Sequence, residues 1–444
     1  MSVQIDYTFQ VDGFYSAVNY YRSLTPMNIA SMPAPTATGI EDLTFTDTTA
    51  AAENGYYVRF GAYNSTLEKI SAEIVVDTTT GLWFSSAKVN YDISNASNSY
   101  HSFTGSATTS TMGASLTGTG KWYGGVLAPN GKIYGVPANS TDILIIDPVA
   151  NTATRSNMGA TLTDSLKWFS GVLAPNGKIY CSPRDAADIL IIDPVANTAT
   201  RSNMGVTLSD LNKWTGSVLS NNGKIYSIPY SATDILIIDP VANTATRSNM
   251  GASLTGTGKW YGGVLAPNGK IYGVPFNATD ILIIDPVANT ATTTNMGLTL
   301  TDTGKWIGGV LGADGKIYCM PYNASDILII DPATDTAIRS NMGVTMTETA
   351  KYFGGTLGAD GKIYSNSYSV SNILIIDTVA NTATRSNMGA TLTATAKWVG
   401  SIQATNGKIY GIPTNATNIL VIDKNASVPA LDIKDCLSPH LNKF

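Results

Sequence analysis

The feature of this sequence that most restricts its fold is a 46-residue repeat without insertions or deletions. A fixed period of this length indicates an array of similar structural units, each packed against its neighbours. The chain is therefore expected to form either a closed ring or an open stack of seven units. The repeat is marked by a lysine followed by an aromatic residue, at Lys121-Trp122, Lys167-Trp168, Lys213-Trp214, Lys259-Trp260, Lys305-Trp306, Lys351-Tyr352 and Lys397-Trp398.

Each unit reads as four short β-strands separated by turns. In the first unit, apolar runs alternate with turn signals in the order WYGGVLA, PNG, KIYGV, a variable loop, DILIID, PVAN and TATRSNM. Four strands per unit at this period are typical of propeller blades, whereas a helical solenoid shows helical periodicity and a β-helix has shorter coils. We therefore expect an all-β chain built around a seven-bladed β-propeller.

The two ends of the repeat array indicate how the ring closes. One copy of the fourth-strand segment, SATTSTMG at 106–113, precedes the first lysine-aromatic pair, and the last copy ends after its third strand, NILVID at 418–423. The N-terminal strand is therefore expected to complete the last blade, which joins the first and last blades without a wide gap.

Two phrases of the repeat carry a family resemblance. The segments APNGKIYGVP and DILIIDPVANTAT resemble the blades of YVTN-type β-propellers, which have a similar turn before the second strand and a similar end of the third. The resemblance covers residues 105–424 and implies a fold rather than an activity.

Residues 1–80 contain no copy of the repeat and are expected to form a small β-sandwich. Their candidate strands are QIDYTFQV, AVNYYRSL, DLTFTDTT, GYYVRFGAY and KISAEIVVDT. The segment NGYYVRFGAYNSTLEKISAEIVVDTT resembles the last two strands of a fibronectin type III domain. We interpret residues 81–104 as a connector and residues 425–444 as a loosely ordered C-terminal tail.

Charge and hydropathy exclude several classes of partner. The formal net charge is −5 and the lysines are evenly spread, so nucleic acid is not an expected partner. The N-terminus has no basic segment followed by an apolar run, and no stretch approaches the roughly 20 apolar residues of a membrane helix. We therefore expect no signal peptide, no membrane insertion and synthesis in the cytoplasm.

The few metal-binding residue types predict no metal centre. The chain has three cysteines, Cys181, Cys319 and Cys436, which cannot all pair in disulfides. Cys181 and Cys319 occupy equivalent repeat positions where other copies carry Gly or Ser, so they are interpreted as small core residues. His101 and His440 have no His or Cys neighbour at ligand spacing. No zinc and no cofactor are expected.

Catalysis is not expected either. An enzyme places its acid and base in different environments, whereas repeated units supply repeated environments. The sequence offers no Ser/His/Asp arrangement with an available histidine, no isolated carboxylate pair and no phosphate-binding glycine loop. Asp185 and Glu348 are the carboxylates outside the repeat pattern, and both are expected to be solvated.

A candidate glycan-binding surface lies on the loop between the second and third strands, which a propeller presents on its top face. Aromatic faces stack on sugar rings, and nearby Asn277, Asn323 and Asn415 offer hydrogen bonds. The alternative is that these aromatic side chains pack over the blade edges. The loop position carries, in blade order, Ala138, Arg184, Tyr230, Phe276, Tyr322, Tyr368 and Thr414, so four adjacent blades have aromatic residues.

The lysines of the lysine-aromatic pairs are expected to form a ring at the channel mouth, where positive potential attracts acidic sugars. The alternative is that they pair with aspartates at the top of the third strands, Asp142, Asp188, Asp234, Asp280 and Asp326. The tryptophans that follow them are expected to pack between blades.

A second set of lysines, at the start of the second strands, is expected to pair with the aspartates that end the third strands, on the lower face. The lysines are Lys132, Lys178, Lys224, Lys270, Lys316, Lys362 and Lys408, and the aspartates are Asp147, Asp193, Asp239, Asp285, Asp331, Asp377 and Asp423.

The segment QVDGFYSAVNYYRS, followed by the fibronectin-like strand pair, resembles modules of bacteriophage tail proteins. The resemblance implies a location in the virion tail, with the N-terminal domain bound to other tail proteins and the propeller facing a host-surface polysaccharide. A homo-oligomeric or multi-copy assembly would offset weak single-site binding. Two alternatives remain open: a structural collar or decoration without ligand, and a polysaccharide-degrading enzyme.

Overall fold

The computed structural model describes residues 2–8, 17–24, 32–40, 44–51, 55–63, 68–70, 74–77 and 105–424. All regular secondary structure within these ranges is β-strand, so they contain no helix able to cross a membrane. The chain divides into two compact units, Met1–Tyr100 and His101–Phe444. The proposed connector, the C-terminal tail, His101, His440 and Cys436 lie outside the described residues.

The N-terminal unit contains two small antiparallel sheets. Its strands are β1 (Ser2–Thr8), β2 (Ala17–Ser23), β3 (Ala37–Ile40), β4 (Thr44–Ala51), β5 (Gly55–Tyr63), β6 (Glu68–Ile70) and β7 (Ile74–Asp77). Strands β1 and β4 pair with each other, and the second sheet has the order β3-β2-β5-β6, with β7 also paired to β5. Val18, Tyr20, Tyr21 and Val58 are buried.

The second unit is a seven-bladed β-propeller of four-stranded antiparallel blades, as predicted. Before the first blade lies β8 (Ser106–Ser110). The first blade contains β9 (Trp122–Leu127), β10 (Ile133–Pro137), β11 (Ile143–Asp147) and β12 (Thr152–Ser156). The second contains β13 (Trp168–Leu173), β14 (Ile179–Pro183), β15 (Ile189–Asp193) and β16 (Thr198–Ser202). The third contains β17 (Trp214–Leu219), β18 (Ile225–Pro229), β19 (Ile235–Asp239) and β20 (Thr244–Ser248).

Blades four to seven follow the same pattern. The fourth blade contains β21 (Trp260–Leu265), β22 (Ile271–Pro275), β23 (Ile281–Asp285) and β24 (Thr290–Thr294), and the fifth contains β25 (Trp306–Leu311), β26 (Ile317–Pro321), β27 (Ile327–Asp331) and β28 (Thr336–Ser340). The sixth contains β29 (Thr356–Leu357), β30 (Lys362–Ser365), β31 (Ile373–Asp377) and β32 (Thr382–Ser386). The seventh contains β33 (Trp398–Gln403), β34 (Ile409–Pro413) and β35 (Ile419–Asp423).

The ring closes by strand exchange between its ends. Strand β8 pairs antiparallel with β35, from Ser106 opposite Asp423 to Ser110 opposite Ile419. The N-terminal strand therefore supplies the outer strand of the seventh blade, as the repeat boundaries predicted.

The hydrophobic core lies between blades, and each inner-strand aromatic is part of it. Trp168, for example, is fully buried and clusters with Val126 and Tyr134 of the preceding blade and Ile179 of its own. Its indole Nε1 donates to the carbonyl of Asp188 at 2.8 Å. Burying a large apolar side chain of this kind stabilises a fold by about 1.5–3 kcal/mol, so the predicted packing role of the tryptophans is confirmed.

The lower face is uniform. The predicted lysine–aspartate pairs are present in six blades, for example between Lys132 and Asp147 at 3.4 Å and between Lys362 and Asp377 at 3.0 Å. Because both groups of each pair remain in contact with solvent, each pair contributes about 0–1 kcal/mol. Cys181 and Cys319 are buried free thiols, and burial raises the pKa of each.

Candidate ligand-binding face

The inner strands turn a second ring of side chains toward the channel mouth. After each tryptophan the register with the second strand shifts, as between Trp260 and Gly263. The residue that follows the tryptophan then faces the centre, where Ile307, Phe353 and Val399 are buried together. The residues at this position are Tyr123, Phe169, Thr215, Tyr261, Ile307, Phe353 and Val399.

A ring of glycines allows the inner strands to approach this closely. The next residue is glycine in six blades and Ser170 in the second. Each of these glycines has a positive φ, and a Cβ on Gly216 would lie only 2.5 Å from the Cα of Gly262. The remaining channel at this level is a cavity of about 230 Å³, lined by the glycines together with Phe169 and Ser170.

The four loop aromatics form one continuous arc around the mouth. Ring centroids are 6.1 Å apart between Tyr230 and Phe276, 5.9 Å between Phe276 and Tyr322, and 5.9 Å between Tyr322 and Tyr368. All four side chains are half-buried. These spacings lie within the range of favourable aromatic pairs, and we call this set of four the aromatic arc.

The aromatic arc rests on the inner ring. Tyr261 makes an edge contact with Tyr230 at 5.7 Å, and Phe353 lies 5.3 Å from Tyr368. Burial raises the pKa of Tyr261 well above its ordinary value and also raises that of Tyr322. The hydroxyl groups of Tyr261 and Tyr322 therefore stay neutral at physiological pH, and uncharged aromatic rings line the base of the channel mouth.

Arg184 occupies the equivalent loop position in the second blade. Its guanidinium carbon lies 4.6 Å from the ring centroid of Phe169, which is stacked on Tyr123 at 4.0 Å. Its Nη1 donates to Oδ2 of Asp185 at 3.1 Å, and Oδ1 of Asp185 accepts from the backbone N–H of Asn212 at 2.6 Å. Because the Asp185 side chain is only 15% exposed, the expectation that it is solvated is wrong.

The asparagines proposed as hydrogen-bonding partners for sugars are engaged by the protein. The Oδ1 atoms of Asn277, Asn323 and Asn415 each accept a hydrogen bond from the backbone of the next blade, at 2.7, 2.9 and 2.7 Å. Their side-chain oxygens therefore hold neighbouring loops together. The sequence could not show this, because the bonded partner lies in another blade.

The upper lysines are buried and bind backbone carbonyls. At most 4% of any of these residues is exposed. Lys167 Nζ donates to the carbonyls of Ala138, Ser140 and Asp164 at 2.7, 3.1 and 2.5 Å. Three acceptors match the three donors of an ammonium group, and burial lowers the pKa of the side chain to about 8. The lysines thus join adjacent blades rather than forming an open ring of charge.

Four of the five aspartates expected to pair with these lysines pair with arginines of the fourth strands instead, and the fifth, Asp280, accepts a hydrogen bond from the Thr279 hydroxyl. Asp188 accepts from Arg201 at 2.9 Å, and Asp142 from Arg155 at 2.9 Å. Asp234 and Asp326 bind Arg247 and Arg339 in the same way. The predicted lysine–aspartate pairing at the top of the blades was therefore wrong, because the lysine turns inward while the aspartate faces the outer strand.

The two carboxylates outside the repeat pattern, Asp185 and Glu348, are both paired with arginines. Glu348 binds Arg385 at 2.6 Å, and this hydrogen bond lowers the pKa of Glu348. A general acid needs the opposite shift. Among the described residues, no group of three or more His, Cys, Asp or Glu side chains is arranged to hold a metal ion.

The inner-ring aromatics were not identified from the sequence. Tyr123, Phe169, Tyr261 and Phe353 directly follow the aromatic residue of each lysine-aromatic pair, inside the apolar run that predicts the first strand. The available signal was alternation: if the tryptophan packs between blades, its successor faces the channel. Comparing this position between the copies would have revealed the same variation as in the loops.

Comparisons with known proteins support the fold. No protein-family model matches the sequence, and no curated protein matches it at a significant level. Among solved structures, a streptogramin B lyase aligns with a TM-score of 0.57 and 15% identity, over 70% of this chain and 96% of the lyase. Virginiamycin B lyase from Staphylococcus aureus aligns with a TM-score of 0.56 and 14% identity, over 70% and 97% of the two chains.

A third similar structure, the WD40 repeats of RRP9, has a TM-score of 0.52 and 9% identity, over 70% of this chain and 96% of that one. Propellers of such different kinds share the architecture at these low identities. The similarity therefore shows that the fold is a β-propeller, and it does not indicate an activity for this chain.

Proposed function

We propose that this chain is a tail-associated adhesion protein of a bacteriophage, whose propeller binds a host-surface glycan on its top face. The observation that carries the proposal is the aromatic arc, in which four half-buried rings on consecutive blades adjoin at 5.9–6.1 Å. Partly exposed aromatic rings in a contiguous group mark a binding surface more often than a solvated rim.

The chemistry of the arc suits a sugar. The C–H faces of a pyranose are apolar and stack on aromatic rings, while its hydroxyls remain free for hydrogen bonds. Tyr230, Tyr322 and Tyr368 each add a phenolic hydroxyl, a group that both donates and accepts. A curved arc of several rings is suited to several successive sugars of a polymer.

Variation between the copies is concentrated on this face. The turn that follows the third strand reads DPVANTAT in four blades, whereas the top loop position changes from Ala138 to Arg184 to Tyr230. When repeats share their framework and differ in one loop, that loop is the usual location of the residues that select a ligand. This contrast supports binding at the top of the propeller.

The N-terminal unit is proposed to be a fibronectin type III-like domain that binds other virion tail proteins. Its sheet order β3-β2-β5-β6 and its separate β1-β4 pair follow the C′-C-F-G and B-E pairings of immunoglobulin-like sandwiches. Attachment in several copies per particle would add avidity to a weak single site. In this proposal the protein is made in the host cytoplasm and functions in the virion tail.

A structural collar or decoration without ligand is the second candidate. It is favoured by the identical segment GASLTGTGKWYGGVLAPNGKIYGVP in the first and fourth blades, which duplication alone explains. A polysaccharide-degrading enzyme is less well supported, because Asp185 and Glu348 are both held by arginines.

The proposal is tested by measuring binding of the full-length chain to intact bacterial cells and to purified surface polysaccharides, with analysis of the sugar products. Saturable binding with the polymer left intact is expected. No binding to any cell or polymer would favour the collar, and shortened polymer would favour the hydrolase.

A further inference from the structure

The second blade departs from the repeat at two positions, Ser170 and Arg184, which flank Phe169 at the channel mouth. Ser170 replaces the glycine of the inner strand, Phe169 stacks on Tyr123, and Arg184 is the one charged residue among the seven equivalent loop residues. In a ring of nearly identical blades, a site for one specific chemical group requires such a local difference, because identical blades offer identical contacts.

The guanidinium of Arg184 is oriented and has unused donors. Phe169 supports its flat face at 4.6 Å, and Asp185 accepts one hydrogen bond. An arginine carries five N–H donors, and the others of Arg184 have no hydrogen-bond partner among the described residues. The side chain is 16% exposed. A half-buried, positioned and incompletely bonded guanidinium is suited to a planar anion.

Hydroxyl groups extend the polar character of this side of the mouth. Ser170 Oγ lies 2.9 Å from Ser217 Oγ, which donates to Ser182 Oγ at 2.6 Å. Ser170 and Phe169 also line the central cavity. The second blade therefore offers polar groups at the mouth, whereas the aromatic arc runs from the third blade to the sixth.

We propose that Arg184, supported by Phe169 and Tyr123, is a carboxylate-binding subsite, so that the glycan recognised by the aromatic arc carries acidic sugars such as uronic acids. The carboxylate accepts hydrogen bonds from the free edge of the guanidinium while neighbouring sugars stack on the arc. This inference rests on the proposed glycan-binding function and adds the chemical class of its ligand.

The repeat itself supplies matched variants. Arg184→Thr places at this position the residue that the seventh blade has naturally, Thr414. Arg201→Thr removes one cation from the outer rim of the same blade, and Thr293 shows that a blade folds with threonine there. The two variants change the net charge equally, but only the first alters the mouth.

The test compares binding of the full-length chain and both variants to polygalacturonate, alginate and the purified surface polysaccharides, each before and after chemical reduction of its carboxyl groups. We expect the full-length chain to bind only the polymers whose carboxyl groups are intact. Arg184→Thr should lower the affinity about tenfold or more, whereas Arg201→Thr should leave it near normal. Near-UV circular dichroism verifies folding.

The outcomes separate the two proposals. Equal binding of intact and reduced polymers, or unchanged binding of Arg184→Thr, would overturn the acidic-sugar inference and leave glycan binding standing. An equal loss in both variants would assign the effect to general charge and also overturn the subsite. No binding to any polymer would contradict both.

Discussion

Asn323 in the fifth blade accepts a hydrogen bond on Oδ1 from the backbone N–H of Ala350, in the loop that enters the sixth blade, at 2.9 Å. Ala350 has a φ of +50°, a conformation that costs a residue with a Cβ roughly 1–2 kcal/mol. The same bond joins all seven pairs of neighbours, at Asn139–Leu166, Asp185–Asn212, Ser231–Gly258, Asn277–Gly304, Asn323–Ala350, Ser369–Ala396 and Asn415–Gly120.

Replacing Asn323 by alanine removes one of these inter-blade bonds. We expect the free energy of unfolding to fall by about 1 kcal/mol, the usual net value of such a bond, as measured by urea denaturation. Asn323→Ser is the matched control, because Ser231 and Ser369 make the same bond at 3.2 Å. Equal destabilisation by both substitutions would show that the bond is unimportant.

The glycine ring predicts a position-dependent cost of adding one methyl group. Gly216 and Gly223 lie in the same blade with φ of +98° and +79°. A Cβ on Gly223 meets nothing within 4 Å, whereas one on Gly216 meets the backbone of Gly262. Gly223→Ala should lower the free energy of unfolding by about 1–2 kcal/mol, and Gly216→Ala should lower it by about 1–3 kcal/mol more. Similar losses in thermal denaturation would contradict the close approach of the blades.

The buried upper lysines predict the direction of the pH dependence of stability. Burial lowers their pKa to about 8 in the folded protein from 10.5. Between these values the unfolded chain binds more protons, so the free energy of unfolding should rise with pH above 8. The two buried cysteines oppose this rise above their ordinary pKa of 9.0, and the buried tyrosines do so above 10.0.

Seven lysines outweigh two cysteines in this window. Urea denaturation at several pH values between 8 and 10 should therefore show increasing stability, with net proton uptake on unfolding. Stability that falls steadily from pH 8, or proton release on unfolding, would show that the lysines titrate normally.

Strand exchange at the ring closure predicts different effects of two N-terminal deletions. Removing residues 2–100 leaves β8 in place, so the propeller should keep its melting temperature. Removing residues 2–113 also deletes β8 and exposes the edge of β35, which pairs with it along its whole length. We expect a marked loss of thermal stability and aggregation. Equal melting temperatures would contradict the closure.

The repeat made the propeller, its blade number and its closure predictable, because a fixed period restricts the architecture. Local pairings were also predictable where both partners lie in one blade, as for Lys132 and Asp147. The contacts of Lys167 were not, because its acceptors Ala138 and Ser140 belong to the preceding blade.

The candidate site was predictable only in outline. The variable loop position identified the aromatic arc, but its floor depends on the shift in register after the tryptophans. That shift directs Tyr261 and Phe353 into the mouth. In the sixth blade Ser367 replaces the proline and β29 has only two residues, yet Tyr368 still joins the arc because it packs on Phe353.

Binding of the double variant Tyr322→Ala/Tyr368→Ala to the polysaccharide that the full-length chain binds tests the central claim most directly. The control is Val287→Ser/Val379→Ser, at lower-face turns where each valine is 90% exposed. The account predicts that the arc variant binds about tenfold more weakly or worse, with the control unchanged and both proteins folded. Unchanged affinity of the arc variant would contradict glycan binding at this face.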